Sequence, residues 1–306
     1  YISLPALLSL NGLTISDSPM LETIDGLGGV PTLDWLTLVE LASLTHLPDF
    51  KALSVVSWDI VIHEAHALRN LRGLDTLGVV GTLSVTQSDT LENVDGLGNL
   101  RQVNDSLEFN HLPSLKSLHG LRRLERVNTR FYITDTALTE LVGLDALEAV
   151  NWGLFIWGNP ELVSLRGLGA LKSAGYFSLK YNQSLKTLGH LDRLEDVDSL
   201  RIEETALISI SDLPKLESAG AVVASSNDSL VDLSGLSALR TLTDSLYLRA
   251  NPSIDDLSPL HGLEQLGSIV ITENQSLTQQ EIDALIEAIG EENIDGAITV
   301  EDNAPQ

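Results

Sequence analysis

The chain has 306 residues, 43% hydrophobic and 5% aromatic, and its 43 acidic against 18 basic side chains give a formal charge of −25. So acidic a surface repels phosphate backbones and disfavours general nucleic-acid or anionic-membrane binding, and no apolar run reaches the roughly 18–20 residues needed to span a bilayer. Cysteine is absent, which excludes disulfides, thiolate metal sites and cysteine nucleophiles.

In chain order, the first signal is a spacing of three: Leu4, Leu7 and Leu10. No strand of their own precedes them, so residues 1–11 read as the tail of a repeat, with further chain expected upstream. From residue 12 to 276 a repeat runs without a break. Strand-type triplets begin at Leu13, Leu36, Ile60, Leu83, Leu107, Phe131, Leu154, Phe177, Leu200, Val222, Leu246 and Ile269, 22–24 residues apart, and a last one begins at Ile298. With each start as offset 0, apolar residues recur at offsets 0, 2, 8, 11, 14, 17 and 20; one copy reads Leu154, Ile156, Leu162, Leu165, Leu168, Leu171, Ala174.

Offsets 0 and 2 have the strand period and point inward, while offsets 1 and 3 point to the other side. A strict stripe of three drifts off an α-helix, so offsets 8 to 20 predict turns, short 3₁₀ pieces or extended corners. Glycine at offset 13, as in Gly26, Gly73, Gly96 and Gly120, marks a sharp bend. One such turn buries little alone, so stacking must supply the core. The expected fold is a β-solenoid of the leucine-rich-repeat kind, a right-handed parallel β-coil of about 12 turns. Residues 277–306 break the pattern. Thr278 and Glu281 form a capping box, Ile282, Leu285, Ile286 and Ile289 follow at helical spacing, and Gly290 is placed to stop the helix. A helix plus the strand Ile298–Val300 is the expected terminal cap.

The strings SLVDLSGLSALRTLTDSLYLRANPSIDDL and PELVSLRGLGALKSAGYFSLKYNQSLKTL resemble the receptor L-domain class of leucine-rich repeats, in its secreted bacterial form. The resemblance covers residues 1–276, and the terminal GAITVEDN resembles the end unit of bacterial members. It implies a binding protein, extracellular or at the cell surface; no Ser/His/Asp grouping, Gly-rich phosphate loop or placed carboxylate pair stands out in the sequence, so neither an enzymatic activity nor a cofactor is expected. Receptor versions are bounded by disulfide-bonded ends, whereas this chain lacks cysteine and runs longer than one such domain.

The outward strand face carries the main functional expectation. Tyr132, Phe155, Trp157, Lys180, Tyr181 and Arg201 fall on four adjacent turns, within roughly 15 Å along the axis. Aromatic and arginine side chains on a regular face are the usual make-up of a binding hot spot, so these six are the expected site for a protein or glycan ligand. A second patch, Arg101, Arg122, Arg123, Arg126 and Arg130, forms the one basic stretch; it either compensates the adjacent acidic repeats or meets a partner with an acidic patch. The offset-5 asparagines, Asn159, Asn182, Asn227, Asn251, Asn274 and Asn303, read as turn residues that satisfy backbone groups. His63, Glu64 and His66 lack the four-residue His spacing and helix of a metalloprotease site, so no metal is expected. The alternative to recognition is a structural segment of a surface-layer, filament or fibre protein, with self-association. A polysaccharide-acting enzyme or an ice-binding face is weaker, since neither a catalytic cluster nor ranks of Thr-x-Thr can be assembled.

Overall fold

The computed structural model describes residues 1–189 and 191–304. The chain divides into two compact units, Tyr1–Trp152 and Gly153–Gln306, the division falling within the strand Ala149–Trp157. Both are parallel leucine-rich β-coils, with about twelve turns in the chain. In the first unit the register climbs one repeat per strand: Leu13 pairs with Leu36, Leu36 with Ile60, Ile60 with Leu83, Leu83 with Leu107 and Leu107 with Phe131. In the second, Phe177 pairs with Leu200, then Val222, Leu246, Ile269 and Ile298 follow in the same way.

The strands exceed the expected triplets, reaching nine residues in Val55–His63 and Thr241–Arg249. Their extra length comes from a pairing line that starts at offset 19 of the repeat before: Val79 and Val80 already pair with Gln102 and Val103, and Ser173 and Ala174 with Asp196 and Val197. Backbone groups held between stacked turns have the next turn as their nearest partner, and pairing with it satisfies them. The inward residues at offsets 0 and 2 are buried in the inner turns of both units, as are the leucines at the three-residue spacing, such as Leu91, Leu97 and Leu100 or Leu162, Leu165 and Leu168. These stretches are turns, with 3₁₀ pieces at His119–Leu121, Ser234–Leu236 and Ser258–Leu260. Gly96 needs its glycine twice: φ is 111°, and a Cβ would lie 2.0 Å from the Leu71 carbonyl of the turn before.

At the start of the first unit, Ile2–Ser3 pairs with Ile24–Asp25, and the Leu4 and Leu7 amides donate to the Asp25 and Gly26 carbonyls (both 3.1 Å). The partial repeat is thus stacked on the first full turn. At the end of the second unit, the helix Gln279–Ile289 begins at Thr278, whose hydroxyl accepts the Glu281 amide (3.3 Å). It buries Ile282, Leu285 and Ile289, and Ile298–Glu301 adds the final strand. No helix among the described residues is long and apolar enough to cross a membrane.

One regularity goes beyond the expected pattern. Every strand triplet ends in a left-handed residue at offset 4: Asp17, Glu40, Glu64, Gln87, His111 and Asp135 in the first unit, and Gly158, Tyr181, Glu204, Ser226, Ala250, Glu273 and Asp302 in the second. The offset-5 residue follows at the corner, and its side chain turns into the coil.

Candidate functional site

The outward face of the second unit starts at Phe155 and Trp157. They alternate with the inward Leu154 and Ile156, so both leave the strand on the same side. Their rings meet edge to face, with centroids 5.1 Å apart and planes at 70°. Phe155 is nevertheless only 8% exposed. Its ring folds down over Gly153, where a Cβ would come within 2.6 Å of it and 3.2 Å of the Tyr176 Cβ. Glycine at that place is what lets the phenylalanine lie flat; it is a support for Trp157 rather than an exposed anchor. Trp157 stays half-buried, and its Nε1 donates to Ser178 Oγ (2.9 Å), which fixes the indole while leaving part of its surface to solvent.

Beside it runs a string of charges. Lys180 Nζ sits 2.9 Å from Glu203 Oε1 on the next turn, and Arg201 reaches the same oxygen at 4.0 Å. The Lys180–Glu203 and Ser178–Arg201 pairs stand in direct register. Tyr181 belongs to the corner rather than the sheet. Its φ is 58° and it is 53% exposed, so it marks the rim of the face. Phe155, Trp157, Lys180, Tyr181 and Arg201 thus share one surface of this unit, with Phe155 beneath it. Tyr132 lies in the first unit, half-buried opposite Glu108.

The offset-5 asparagines form a buried ladder. Asn182 Oδ1 accepts the Asn159 amide (3.0 Å) and its Nδ2 donates to the Ile156 carbonyl (2.7 Å). Asn227 Oδ1 accepts both the amide and the hydroxyl of Thr205 (3.1 and 2.8 Å), while its Nδ2 donates to the Ile202 carbonyl (2.9 Å). Asn251, Asn274 and Asn303 repeat the pattern. This row is structural, as its position implies.

In the first unit the basic patch is split. Arg101 pairs with Glu125 (2.7 Å), Arg123 donates to Asn99 Oδ1 (2.7 Å), and Arg130 lies over the Trp152 ring, 4.1 Å from its centroid. Arg122 and Arg123 line a shallow pocket with Arg72, Asp75, Asp95 and Asn99, in which Arg72 is held by Asp95 at 3.2 Å. Arg126 is exposed and does not line that pocket. His63 bonds to Thr86 (2.7 Å) and lies 3.4 Å from Glu64, while His66 lies 3.5 Å from Asp89; the three do not converge on one point. The outward strand face here is a polar chain, Ser84 to Glu108 (2.9 Å), Asn110 to Glu108 (3.3 Å), and Thr134 to Asn110.

The outward-offset count overlooked the stacked pair Trp35 and Trp58. Both precede the triplets, at offsets −1 and −2, and only the pairing of the turns brings them together. The signal within reach was their separation of 23 residues, one repeat.

No protein-family model and no curated protein matches the chain. Among solved structures, a leucine-rich-repeat protein from Leptospira interrogans is similar at 16% identity, over 89% of this chain and 79% of that one, with a TM-score of 0.42.

Proposed function

We propose that this is a recognition module of the receptor L-domain-like kind, extracellular or at the cell surface, that binds a protein or glycan through the outward strand face of its second unit. In this reading it is not an enzyme. The observation that carries the proposal is Trp157: an indole locked by Ser178, propped by a buried Phe155, and left half-open beside the Lys180–Glu203–Arg201 string. A rigid, partly exposed aromatic next to ordered donors and acceptors supplies contact area at small entropic cost. Such a surface suits a ligand with an apolar face and a polar edge.

The test is a glycan array and a pull-down with the wild-type chain beside Trp157→Ala. Trp157→Ala is expected to weaken the captured ligand by about 2 kcal/mol or more, roughly thirtyfold, with an unchanged circular dichroism spectrum. Thr37→Ala, on the strand face of the first unit, is expected to change almost nothing. Hits retained equally by wild type and Trp157→Ala place recognition elsewhere, with the arginine patch the next surface to alter.

A further inference from the structure

The first unit carries an aromatic ledge that this reading does not use. Asp34 and Trp35 are neighbours on one turn, Trp58 and Asp59 on the next. The Trp58 amide donates to the Asp34 carbonyl (2.8 Å), and Leu36 pairs with Ile60 just beyond. Along the backbone, Asp34 therefore lies beside Trp58 and Trp35 beside Asp59, so two tryptophans and two aspartates adjoin one another on neighbouring turns.

Local irregularity exposes the ledge. The register of Val55–His63 against the following strand shifts between Val56 and Asp59, and Ser57, Trp58 and Asp59 are exposed in succession. An extra residue of this kind re-aims a side chain, and Trp58 is 59% exposed. Its ring stacks on Trp35, with centroids 5.8 Å apart and planes within 11°. Trp35 is fixed from behind. Its Nε1 donates to Thr14 Oγ1 (3.1 Å), and its ring fills the space over Gly12, where a Cβ would come within 2.3 Å. On the other side the next turn meets the Trp58 backbone with Gly81, which offers no side chain to lie over the indole. Neither the Asp34 nor the Asp59 carboxylate has an ion-pair or hydrogen-bond partner among the described residues.

The same unit shows what an exposed indole of this fold holds. At Trp152 the covering group is the Arg130 guanidinium, from the preceding turn. At Trp58 the preceding turn supplies a second indole instead, and two unpaired carboxylates stand alongside. A guanidinium is attracted by the negative face of the ring, and its planar fork donates to carboxylates at the ring's edge. A neutral sugar would use the ring but gain less from two carboxylates than a cation does. We propose that Trp58, backed by Trp35 and flanked by Asp34 and Asp59, docks an arginine side chain on a basic segment of a protein partner. The charge of −25 draws such a segment in from a distance.

The probe is a labelled hexa-arginine peptide titrated against the whole chain at about 150 mM salt, where exposed charges are screened beyond roughly 8 Å. Trp58→Ala removes the ring and no charge. Asp34→Asn with Asp59→Asn removes the carboxylates and keeps the ring. Asp283→Asn with Glu287→Gln takes the same charge off the C-terminal helix. Trp58→Ala and the paired Asn variant are each expected to weaken the peptide about fivefold or more, and the helix variant to stay within about twofold of wild type. Equal binding by wild type and Trp58→Ala overturns the proposal, as does an equal loss in the helix variant and the paired Asn variant. So does a neutral oligosaccharide whose binding depends on Trp58 while the peptide's does not.

Discussion

In the first unit the residue after each left-handed corner is Ser18, Leu41, Ala65, Ser88, Leu112 or Thr136; in the second it is Asn159, Asn182, Thr205, Asn227, Asn251, Asn274 or Asn303. The backbone makes the same corner in both, since φ at the preceding residue is 56° at Glu40 and 52° at Glu204. Stacked leucines therefore set the turn, and the asparagines are not needed to shape it. What they add is hydrogen bonding. Asn227 satisfies groups of the turn before it, whereas Leu41, Ala65 and Leu112 offer no side-chain acceptor. In the first unit Ser88 does similar work, taking the Ala65 amide at 3.2 Å.

The largest expected effects check that the leucine frame is shared. Leu71→Ala in the first unit and Leu165→Ala in the second, both at offset 11, each remove a buried side chain and should cost about 2–5 kcal/mol in chemical denaturation. Ser164→Ala, next to Leu165, should cost under about 1 kcal/mol. A small loss at only one of the two leucines breaks the equivalence. The corner comes next. Asn227→Ala leaves the Thr205 amide and the Ile202 carbonyl without their partner and should cost about 3 kcal/mol, against about 1 kcal/mol for Ser88→Ala.

The smallest effect concerns charge along the left-handed row. In the first unit Glu40 stands between Asp17 and Glu64, and the Asp17 carboxylate, by its charge and then by a hydrogen bond, raises the Glu40 pKa above the ordinary glutamate value. A carboxyl with a raised pKa binds its proton more tightly in the folded chain. Folding is therefore favoured below the ordinary range and loses ground as pH rises through the raised value. Glu40→Gln should flatten that part of the stability–pH curve, with a small gain at neutral pH and none in acid.

The coil was legible because a repeat of 22–24 residues returns leucine to the same offsets, and only stacking buries them all. The helical cap was legible for a local reason, the Thr278–Glu281 pair ahead of an apolar stripe. The left-handed row was not, because Asp, Glu, Gln, His, Tyr, Ser and Ala share no chemistry that announces the conformation. Its trace is an exclusion: no β-branched residue stands at offset 4 in any turn, as steric strain at positive φ requires. Of the candidate site, strand alternation placed Phe155 and Trp157 together on the outward side of the strand. Alternation says nothing of how far a ring lies down, and the space over Gly153 buries one of the two. Trp58 escaped because an irregular strand displaces it from the offsets that alternation assigns outward.

The claim that leucine stacking builds the coil while the asparagine ladder secures single corners is tested most directly by residue-resolved hydrogen exchange on Asn227→Ala. The Thr205 amide should exchange about tenfold or more faster than in wild type, having lost its acceptor, while amides in Asp196–Glu203 and Ser218–Ser225 keep their protection relative to the rest of the unit. Collapse of protection along both strands would contradict this, because the ladder would then be holding the coil itself; so would an unchanged Thr205 amide.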